Sequence, residues 1–341
     1  MKKSTPILLS LSLLFISDCS YAQPLNDKIV FTHQDTLRGS ITPERAWWDV
    51  LYYNIYVAPD YNSKTIKGWN QITFGIKIPG KNKIMQMDLQ EPMMIDSIFL
   101  NDTKISTYKR EGNVYWIDFG NKEFKKSMST SSDEKNNSSL KIFFHGTPRK
   151  AVNAPWDGGW IWTKDEKDRP WMTVACQGLG ASVWYPSKDH QSDEPDNGAT
   201  LAICVPDSLV AVGNGRLKEK KSNHDGNTTW IWEVKNPINN YSLVPYIGKY
   251  VNFTDTLNGE KGRLDLSYWV LDYNLEKARE HFAKNVKPML KCFEYWFGPY
   301  PFYEDSYKLI ESSHLGMEHQ SAVAYGNHYL NGYYLASSNS G

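Results

Sequence analysis

Glu318 is the side chain best placed by its sequence neighbours to bind a charged group, since it lies within Gly316-Met317-Glu318-His319-Gln320. The apolar run 321–325 follows and ends at Gly326, a pattern typical of an edge strand. An extended peptide can pair with such an edge through backbone hydrogen bonds, and a carboxylate there can accept hydrogen bonds from its ammonium group. A Glu considered alone is more often a solvated surface residue. The pattern around Glu318 predicts recognition of a free amino end.

Gln177 is the second side chain that the sequence singles out. It lies in Cys176-Gln177-Gly178, which is followed by Trp184-Tyr185-Pro186 and then by Asp193-Glu194-Pro195. A side-chain amide oxygen accepts a hydrogen bond from an ammonium group without adding charge to the site. Considered alone, Gln177 is more typical of a turn or of the end of a strand.

The two segments together resemble the M1 zinc aminopeptidases, which are aminopeptidase N-like gluzincins. The segment 316–320 is similar to their Gly-x-Met-Glu-Asn signature, with His319 in place of the final Asn, and the segment around Gln177 is similar to their upstream amine-binding block. The resemblance extends over residues 46–330. It implies that Gln177, Gly316, Met317 and Glu318 bind the amino end of a peptide substrate whose N-terminal residue is then removed.

The resemblance also implies a zinc ion, held by the two histidines of a His-Glu-x-x-His motif and a later Glu, with the motif's own Glu as general base. The sequence contains no His-Glu-x-x-His, and its eight histidines are scattered without metal-ligand spacing. We therefore expect that the chain carries the amine-binding residues but no catalytic residue and no zinc ligand. On this interpretation it is the N-terminal part of an aminopeptidase and is inactive alone.

Two other functions stay open at this point. The chain has 13 Trp and 21 Tyr, so it is also compatible with a secreted, non-catalytic β-sandwich whose aromatic side chains bind glycan or protein. It is equally compatible with a degenerate peptidase scaffold that has kept the architecture and lost the chemistry. The 38 acidic and 38 basic residues balance, which argues against a nucleic-acid partner.

Residues 1–22 are typical of an export signal. Lys2 and Lys3 precede the apolar run 7–16, and Ser20-Tyr21-Ala22 is a small-x-small cleavage site. The sequence therefore predicts a periplasmic or extracellular protein that begins at Gln23. The apolar run is too short to cross a membrane as a helix. A lipid anchor on Cys19 is not expected, because Asp18 stands where a lipobox has a small residue.

Residues 23–250 read as a domain of short strands, for which the spacing predicts an antiparallel sandwich. The strands are expected at 50–57, 71–78, 95–100, 114–119, 140–144 and 229–234, with a mobile hairpin loop over 125–139. The family resemblance implies that this domain is saddle-shaped. Cys176, Cys204 and Cys292 are too few for a disulfide framework and are expected to be buried.

The pattern changes after Val251, where the resemblance implies the truncated beginning (251–341) of an α+β, thermolysin-like catalytic domain. A strand at 268–271 leads into an amphipathic helix, with Asn274 as N-cap and Gly298 as its end. Apolar residues recur at three- and four-residue spacing, which predicts one buried stripe. Its members are Leu275, Ala278, Phe282, Val286, Met289, Leu290, Phe293 and Trp296.

Overall fold

The computed structural model describes residues 30–78, 84–120 and 137–332 of the 341-residue chain. The predicted export signal 1–22, with Cys19, lies outside these residues, and so does the part of the predicted hairpin loop up to residue 136. The last two residues of that loop, Ser138 and Ser139, belong to a strand instead. None of the helices in the described ranges has the length and apolar character that a membrane-spanning helix requires.

About half of the described residues up to 248 lie in strands. Two short helices precede the sheets, α1 (His33–Gly39) and α2 (Pro43–Ala46). The strands are β1 (Trp48–Asp60), β2 (Thr65–Ile76), β3 (Ile84–Asp88), β4 (Met94–Leu100), β5 (Thr103–Ile105), β6 (Tyr108–Glu111), β7 (Val114–Asp118), β8 (Ser138–Gly146), β9 (Gly159–Lys164), β10 (Pro170–Ala175), β11 (Ala199–Pro206), β12 (Val210–Val212), β13 (Arg216–Ser222), β14 (Asn227–Val234) and β15 (Tyr246–Gly248).

These strands form three sheets that enclose one large apolar core. The largest sheet has eight strands in the order β13-β14-β11-β1-β2-β8-β4-β5, and the others are β12-β15-β10-β9 and β3-β7-β6. In β1 the side chains of Tyr53, Ile55 and Val57 are fully buried, while those between them are only partly covered. This period of two is what places one face of a strand on a core. Each predicted strand of this region coincides with an observed one.

The pairing of β1 with β11 is parallel, with Tyr53 opposite Ala199 and Val57 opposite Ile203. The expectation of a wholly antiparallel sandwich is therefore wrong at this position. Alternation and turn spacing set where a strand lies and which face it buries, but they carry no information on the direction of its neighbour. The other pairings of the eight-stranded sheet are antiparallel.

From Tyr250 onward the chain builds a fourth sheet with a long helix against it. Its strands are β16 (Tyr250–Gly259), β17 (Gly262–Leu271), β18 (Tyr307–Glu311) and β19 (Val323–Tyr325), in that order, and the helix is α3 (Leu275–Phe297). The hairpin β16–β17 is antiparallel, whereas β17, β18 and β19 are mutually parallel. The helix packs Phe282, Val286 and Leu290 into an apolar cluster formed with this sheet.

Helix α3 ends as predicted at Gly298, which adopts a φ of 85° that favours glycine. Asn274 stands at the N-cap position, but its side chain does not cap the helix; its amide nitrogen donates to Glu311 Oε1 at 2.7 Å. The predicted stripe is buried or half-buried up to Leu290 and wrong beyond it, since Phe293 and Trp296 are exposed. At that end the sheet side is occupied by a buried carboxylate, Glu294, which accepts from the Tyr303 hydroxyl at 2.6 Å.

The three cysteines differ in their exposure to solvent. Cys176 is buried and Cys204 is half-buried, but Cys292 is exposed on the solvent side of α3, so that prediction is wrong. About half of the aromatic side chains in the described ranges are buried in the core. The fully buried aromatic side chains include Trp47, Trp48, Trp160, Trp184, Tyr53, Tyr185, Tyr246, Phe74, Phe119, Phe144 and Phe282.

Candidate functional site

A cleft of about 900 Å³ is lined by several loops and by the end of α1. Residues 176–180 follow β10, residues 239–241 follow β14, and residues 316–318 precede β19. The four residues that the sequence predicts to bind substrate, Gln177 and 316–318, all line this cleft. The fold thus brings together groups that are far apart in the sequence and that come from different sheets. Their role in binding a substrate remains a prediction.

Gln177 lies in a tight turn directly after β10. The N–H groups of Leu179 and Gly180 both donate to the Cys176 carbonyl oxygen, at 3.0 and 2.7 Å, and the Gln177 side chain is exposed. Gly180 has a φ of 85°, and a Cβ atom there would lie 2.3 Å from a carboxylate oxygen of Asp189. Glycine is therefore required at this position of the turn.

Asp189 fixes the turn to a buried ion pair beneath the cleft. Its Oδ2 accepts from the Ser182 N–H at 2.9 Å and from the Ser182 hydroxyl at 2.6 Å. Its own N–H donates to Asp88 at 2.9 Å, and Asp88 pairs with Arg45 at 2.6 Å. Burial raises the pKa of the Asp88 carboxyl above its usual range, and the Arg45 charge opposes that shift. Removing either partner would leave a buried charge uncompensated.

The segment that carries Glu318 runs beside β19 rather than forming its beginning. The Ala324 N–H donates to the Met317 carbonyl oxygen at 3.0 Å, so Met317 lies on the outer side of β19. A turn reverses the chain in between, with the Ala322 N–H donating to His319 O at 3.0 Å. The predicted edge strand corresponds to β19, which is shorter than expected because residues 321 and 322 belong to this turn.

The Glu318 side chain is exposed to the cleft and is held by one neighbour. The Tyr241 hydroxyl donates to Glu318 Oε1 at 3.1 Å. Burial raises the pKa of the Tyr241 hydroxyl, and the nearby Glu318 carboxylate raises it further. The phenol therefore stays a proton donor, and it fixes one carboxylate oxygen of Glu318.

Asn214 ties the loop of Tyr241 to the loop of Glu318. It is fully buried, and its amide nitrogen donates to Ser242 O at 2.8 Å and to Gln320 O at 2.7 Å. Its amide oxygen accepts from the Val244 N–H at 3.1 Å. Both N–H donors and the acceptor of this side chain are thus engaged. Asn214 therefore links the backbones of the two loops directly.

Lys308 ties the residue after Asn214 to the segment that follows Glu318. Its ammonium, 1% exposed, donates to the carbonyl oxygens of Gly215 and Ser321, the latter at 2.9 Å. The Gly215 N–H in turn donates to the Ser321 hydroxyl at 2.8 Å. The ammonium also lies 4.7 Å from the centre of the Trp232 ring. Burial lowers the pKa of the Lys308 ammonium to about 7.

His319 is buried and does not line the cleft. The Tyr246 hydroxyl donates to Ala322 O at 3.1 Å, so the His319 Nδ1–H donates to the Tyr246 oxygen at 2.6 Å. Burial, with a smaller contribution from the neighbouring His314, lowers the pKa of the His319 imidazole to about 3. His319 is therefore a neutral structural group, and its difference from the family's Asn affects the support of the segment rather than the cleft surface.

The described residues do not fit a zinc site. None of the His, Cys, Asp and Glu side chains in the ranges that the structure covers form a group of three able to hold a metal ion. In and near the cleft, the His190 imidazole bonds to the Ser192 hydroxyl at 2.7 Å, and Nδ1 of His314 bonds to the Leu315 carbonyl at 2.7 Å. Burial raises the pKa of the Cys176 thiol, so it stays protonated rather than acting as a thiolate ligand.

Sequence reasoning missed three side chains that shape this site: Tyr241, Asn214 and Arg38. Arg38 lies in the last turn of α1 and lines the cleft. None of the three belongs to a segment with a motif, and their positions follow from long-range packing. The pattern around them could not have revealed them.

The sequence matches no protein-family model, and no curated protein matches it. Solved structures do match. An M1 zinc metallopeptidase from Deinococcus radiodurans is 16% identical with a TM-score of 0.65, and the match covers 85% of this chain and 62% of that one. Leukotriene A4 hydrolase from Saccharomyces cerevisiae is 15% identical with a TM-score of 0.59, covering 82% and 40%. Aminopeptidase A from Legionella pneumophila, in complex with aspartic acid, is 14% identical with a TM-score of 0.60, covering 82% and 31%.

These matches show a zinc metallopeptidase fold. More narrowly, the chain has the fold of the M1 zinc metallopeptidases and the leukotriene A4 hydrolase-type aminopeptidases, and the predicted resemblance is confirmed at that level. The chain spans 62% of the length of the Deinococcus structure and less of the other two. Because the sequence identities are this low, the likeness shows the fold and does not show the activity.

Proposed function

We propose that the cleft binds the free amino end of a peptide, as part of an M1-type zinc aminopeptidase that removes N-terminal residues. One observation carries this proposal: Gln177 and Glu318, which come from different sheets, line one cleft together. An α-amino group has an ordinary pKa of about 7.7–8.0, so it is mostly an ammonium at neutral pH. It presents three N–H donors to the acceptors of this cleft.

Each group has a distinct task in this proposal. The Glu318 carboxylate accepts charge-assisted hydrogen bonds from the ammonium, and the Gln177 amide oxygen accepts another. Tyr241 occupies one oxygen of Glu318 and leaves the second for the ligand. Met317, 8% exposed, supports the segment by pairing with Ala324 and packing into the core.

The structural neighbours add support from their bound ligands. A mutant M1 zinc metallopeptidase from Deinococcus radiodurans was solved with a Tyr-Ser-Ala substrate, and another M1 structure with L-arginine. These ligands are a peptide and an amino acid with a free amino group. We further propose that β16–β19 and α3 are the start of a thermolysin-like catalytic domain.

Hydrolysis is a separate part of the proposal. Zinc would supply a water activated for attack on the peptide bond, yet the sequence has no His-Glu-x-x-His and the described residues do not fit the metal. We propose that the 341-residue chain binds amino ends without cleaving them. Incubation with an aminoacyl anilide and added zinc tests this, and zinc-dependent release of the anilide contradicts it.

The binding step is tested with Glu318→Gln, which keeps the shape of the side chain and removes its charge. Trialanine and N-acetyl-trialanine are titrated into each protein by calorimetry. Charge-assisted hydrogen bonds are worth about 1.5–3 kcal/mol, so we expect the acetyl group and the substitution each to weaken binding at least about tenfold. The matched control is Glu276→Gln, an exposed Glu in the first turn of α3. Equal binding of both peptides by the unmodified chain overturns the proposal and favours a general binding module.

We also propose that the protein is exported and that the signal is removed after Ala22, on the basis of residues 1–22. Expression of the full reading frame in a bacterial host, followed by N-terminal sequencing, tests this. A mature protein beginning at Gln23 in the periplasm or medium is the expected result. Retention of Met1 in the cytoplasmic fraction is the result that contradicts it.

A further inference from the structure

A cation from the N-terminal helix lines the same cleft as Gln177 and Glu318. The Arg38 guanidinium donates to the Gly178 carbonyl oxygen, one residue beyond Gln177. This hydrogen bond uses one of the five N–H groups that a guanidinium carries. The cleft therefore presents a carboxylate and a guanidinium, two opposite charges on one surface.

The backbone that carries Arg38 is fixed by buried groups, although the outer face of α1 is solvated. The fully buried Arg45 donates from Nη1 to Arg38 O at 3.1 Å and to Ser40 O at 2.7 Å. The amide of Gln86, also fully buried, donates to Leu37 O at 2.8 Å. The end of α1 is thus held against the sheet core. Arg38 is positioned at the cleft by this attachment, in contrast to a surface arginine on a free helix.

The carboxylates on this side of the cleft are already engaged. The Asp35 carboxylate accepts from the Thr32 N–H at 2.8 Å and from the Thr32 hydroxyl at 2.7 Å. The Asp189 carboxylate accepts from the N–H and hydroxyl of Ser182. Across residues 30–78, 84–120 and 137–332, Arg38 forms no salt bridge with a carboxylate, and its charge is the smallest of the causes that lower the pKa of Asp35, after the hydrogen bonds from Thr32. Most of the N–H groups of the guanidinium are therefore available to a ligand.

We propose that Arg38 binds a carboxylate of the peptide whose amino end is held at Glu318, which makes acidic or short peptides the preferred ligands. The inference rests on the proposed function. A planar guanidinium matches a carboxylate through two parallel N–H···O bonds. This carboxylate has two sources, an acidic side chain near the amino end or the C-terminus of a short peptide. A cleft of about 900 Å³ is of the size that encloses a ligand of a few residues.

Calorimetric titration of the 341-residue chain separates the two sources. Trialanine against trialanine amide tests the C-terminal carboxylate, and glutamyl-alanyl-alanine amide against glutaminyl-alanyl-alanine amide tests the acidic side chain. We expect the carboxylate member of one pair to bind about two- to fivefold more tightly than its uncharged partner, because an exposed ion pair contributes an affinity difference of that size. The pair that discriminates identifies the source.

Variants of Arg38 connect this discrimination to the guanidinium. Arg38→Gln should abolish the preference, and Arg38→Lys should keep part of it, since Lys retains the charge without the planar fork. Arg279→Gln, which removes an exposed arginine of α3 outside the cleft, should leave the preference unchanged. Thermal unfolding of each variant establishes that it is folded. A displaced Gly178 turn would weaken the binding of both members of a pair, whereas the loss of the Arg38 charge weakens only the carboxylate member, so the two roles are separated within each variant.

The outcomes separate this inference from the proposed function. If N-acetylation weakens binding but neither pair discriminates, amine recognition holds and the role of Arg38 is overturned. If a pair discriminates and Arg38→Gln removes the difference, Arg38 is supported, whatever acetylation does. A preference that persists in Arg38→Gln overturns the inference. Absence of binding by every peptide at millimolar concentration overturns both.

Discussion

Tyr241 and Glu318 are joined by a hydrogen bond of 3.1 Å from the phenol hydroxyl to Oε1. The two residues stand on loops that leave different sheets, and Asn214 holds those loops together from below. The carboxylate is therefore oriented by the fold before any ligand arrives. Preorganisation of this kind lowers the ordering cost of binding.

Tyr241→Phe tests that orientation. The variant loses the hydroxyl and little else, so its free energy of unfolding should change by less than about 1 kcal/mol, while trialanine should bind about two- to tenfold more weakly, as expected for one hydrogen bond. Calorimetry provides the affinity and urea denaturation provides the stability. Tyr52→Phe is the matched control, because that hydroxyl bonds to Thr200 at 2.6 Å outside the cleft. Unchanged affinity in Tyr241→Phe would show that Glu318 needs no such support.

Asn214→Ala should weaken both the fold and the site. It leaves the buried carbonyl groups of Ser242 and Gln320 without their donor, and a buried polar group that loses its partner costs about 1–3 kcal/mol. We expect the free energy of unfolding to fall by at least that amount and peptide affinity to fall with it. In Asn223→Ala, a half-buried amide outside the cleft, affinity should stay constant. A destabilised Asn214→Ala protein with full affinity would refute the coupling of the loops.

His319 should make the fold sensitive to acid. The folded-state pKa is about 3 and the ordinary value is 6.5, so between these values the unfolded chain binds a proton that the folded chain does not. Stability must then fall as the pH drops below 6.5, by up to about 1.4 kcal/mol per pH unit from this group. His319→Asn removes the contribution. The difference in unfolding free energy between variant and parent should therefore move in favour of the variant from pH 6.5 to pH 4.

Urea denaturation at several pH values measures this difference, and the other titrating groups cancel in the comparison. His224→Asn is the control, since His224 is exposed and its φ of 59° suits Asn. Parallel stability curves for parent and His319→Asn would mean that the buried imidazole is not the acid-sensitive group.

Lys308 should make the free energy of unfolding depend on pH in the alkaline range. Its folded-state pKa is about 7 and its ordinary value is 10.5, so between these values the unfolded chain again binds the extra proton. Stability should rise as the pH increases from 7 toward 10, by up to about 1.4 kcal/mol per pH unit from this group. The Lys308→Met variant lacks this rise. The free energy of unfolding of the parent should therefore increase relative to that of the variant over this pH interval. Lys109→Met, at an exposed position of β6, should follow the parent. A constant difference between parent and Lys308→Met from pH 7 to pH 10 would contradict the assignment.

The elements that could be predicted from the sequence are those determined by residues close together along the chain. Alternation marked the strands, and helical spacing marked α3 up to Leu290. Beyond that point Glu294 turns toward the sheet because Tyr303 and two backbone N–H groups satisfy its carboxylate. Glu294 thus continues the helix face that buries Leu290, and because its partners lie elsewhere in the sequence, a pattern of apolar residues could not reveal its burial.

The residues of the candidate site also fall into those that the sequence could predict and those that it could not. Gln177 and Glu318 stand in segments with a family resemblance, so the sequence pointed to both. Asn214, Tyr241 and Arg38 carry no local signal, since each acts through a contact that exists only after the sheets have packed. The parallel partner of β1 belongs with them, because strand direction depends on the route of the chain between two strands.

That parallel pairing governs how the protein can assemble during synthesis. In the nascent chain, β1 and β2 are made early, whereas β11 follows only after most of the sheet strands between them. One side of β1 must therefore wait unpaired in a growing polypeptide, and loops this long close slowly. Exposed, apolar and unpaired strands are the usual starting points of aggregation. We expect recovery of soluble protein to depend on slow translation, low temperature or chaperones.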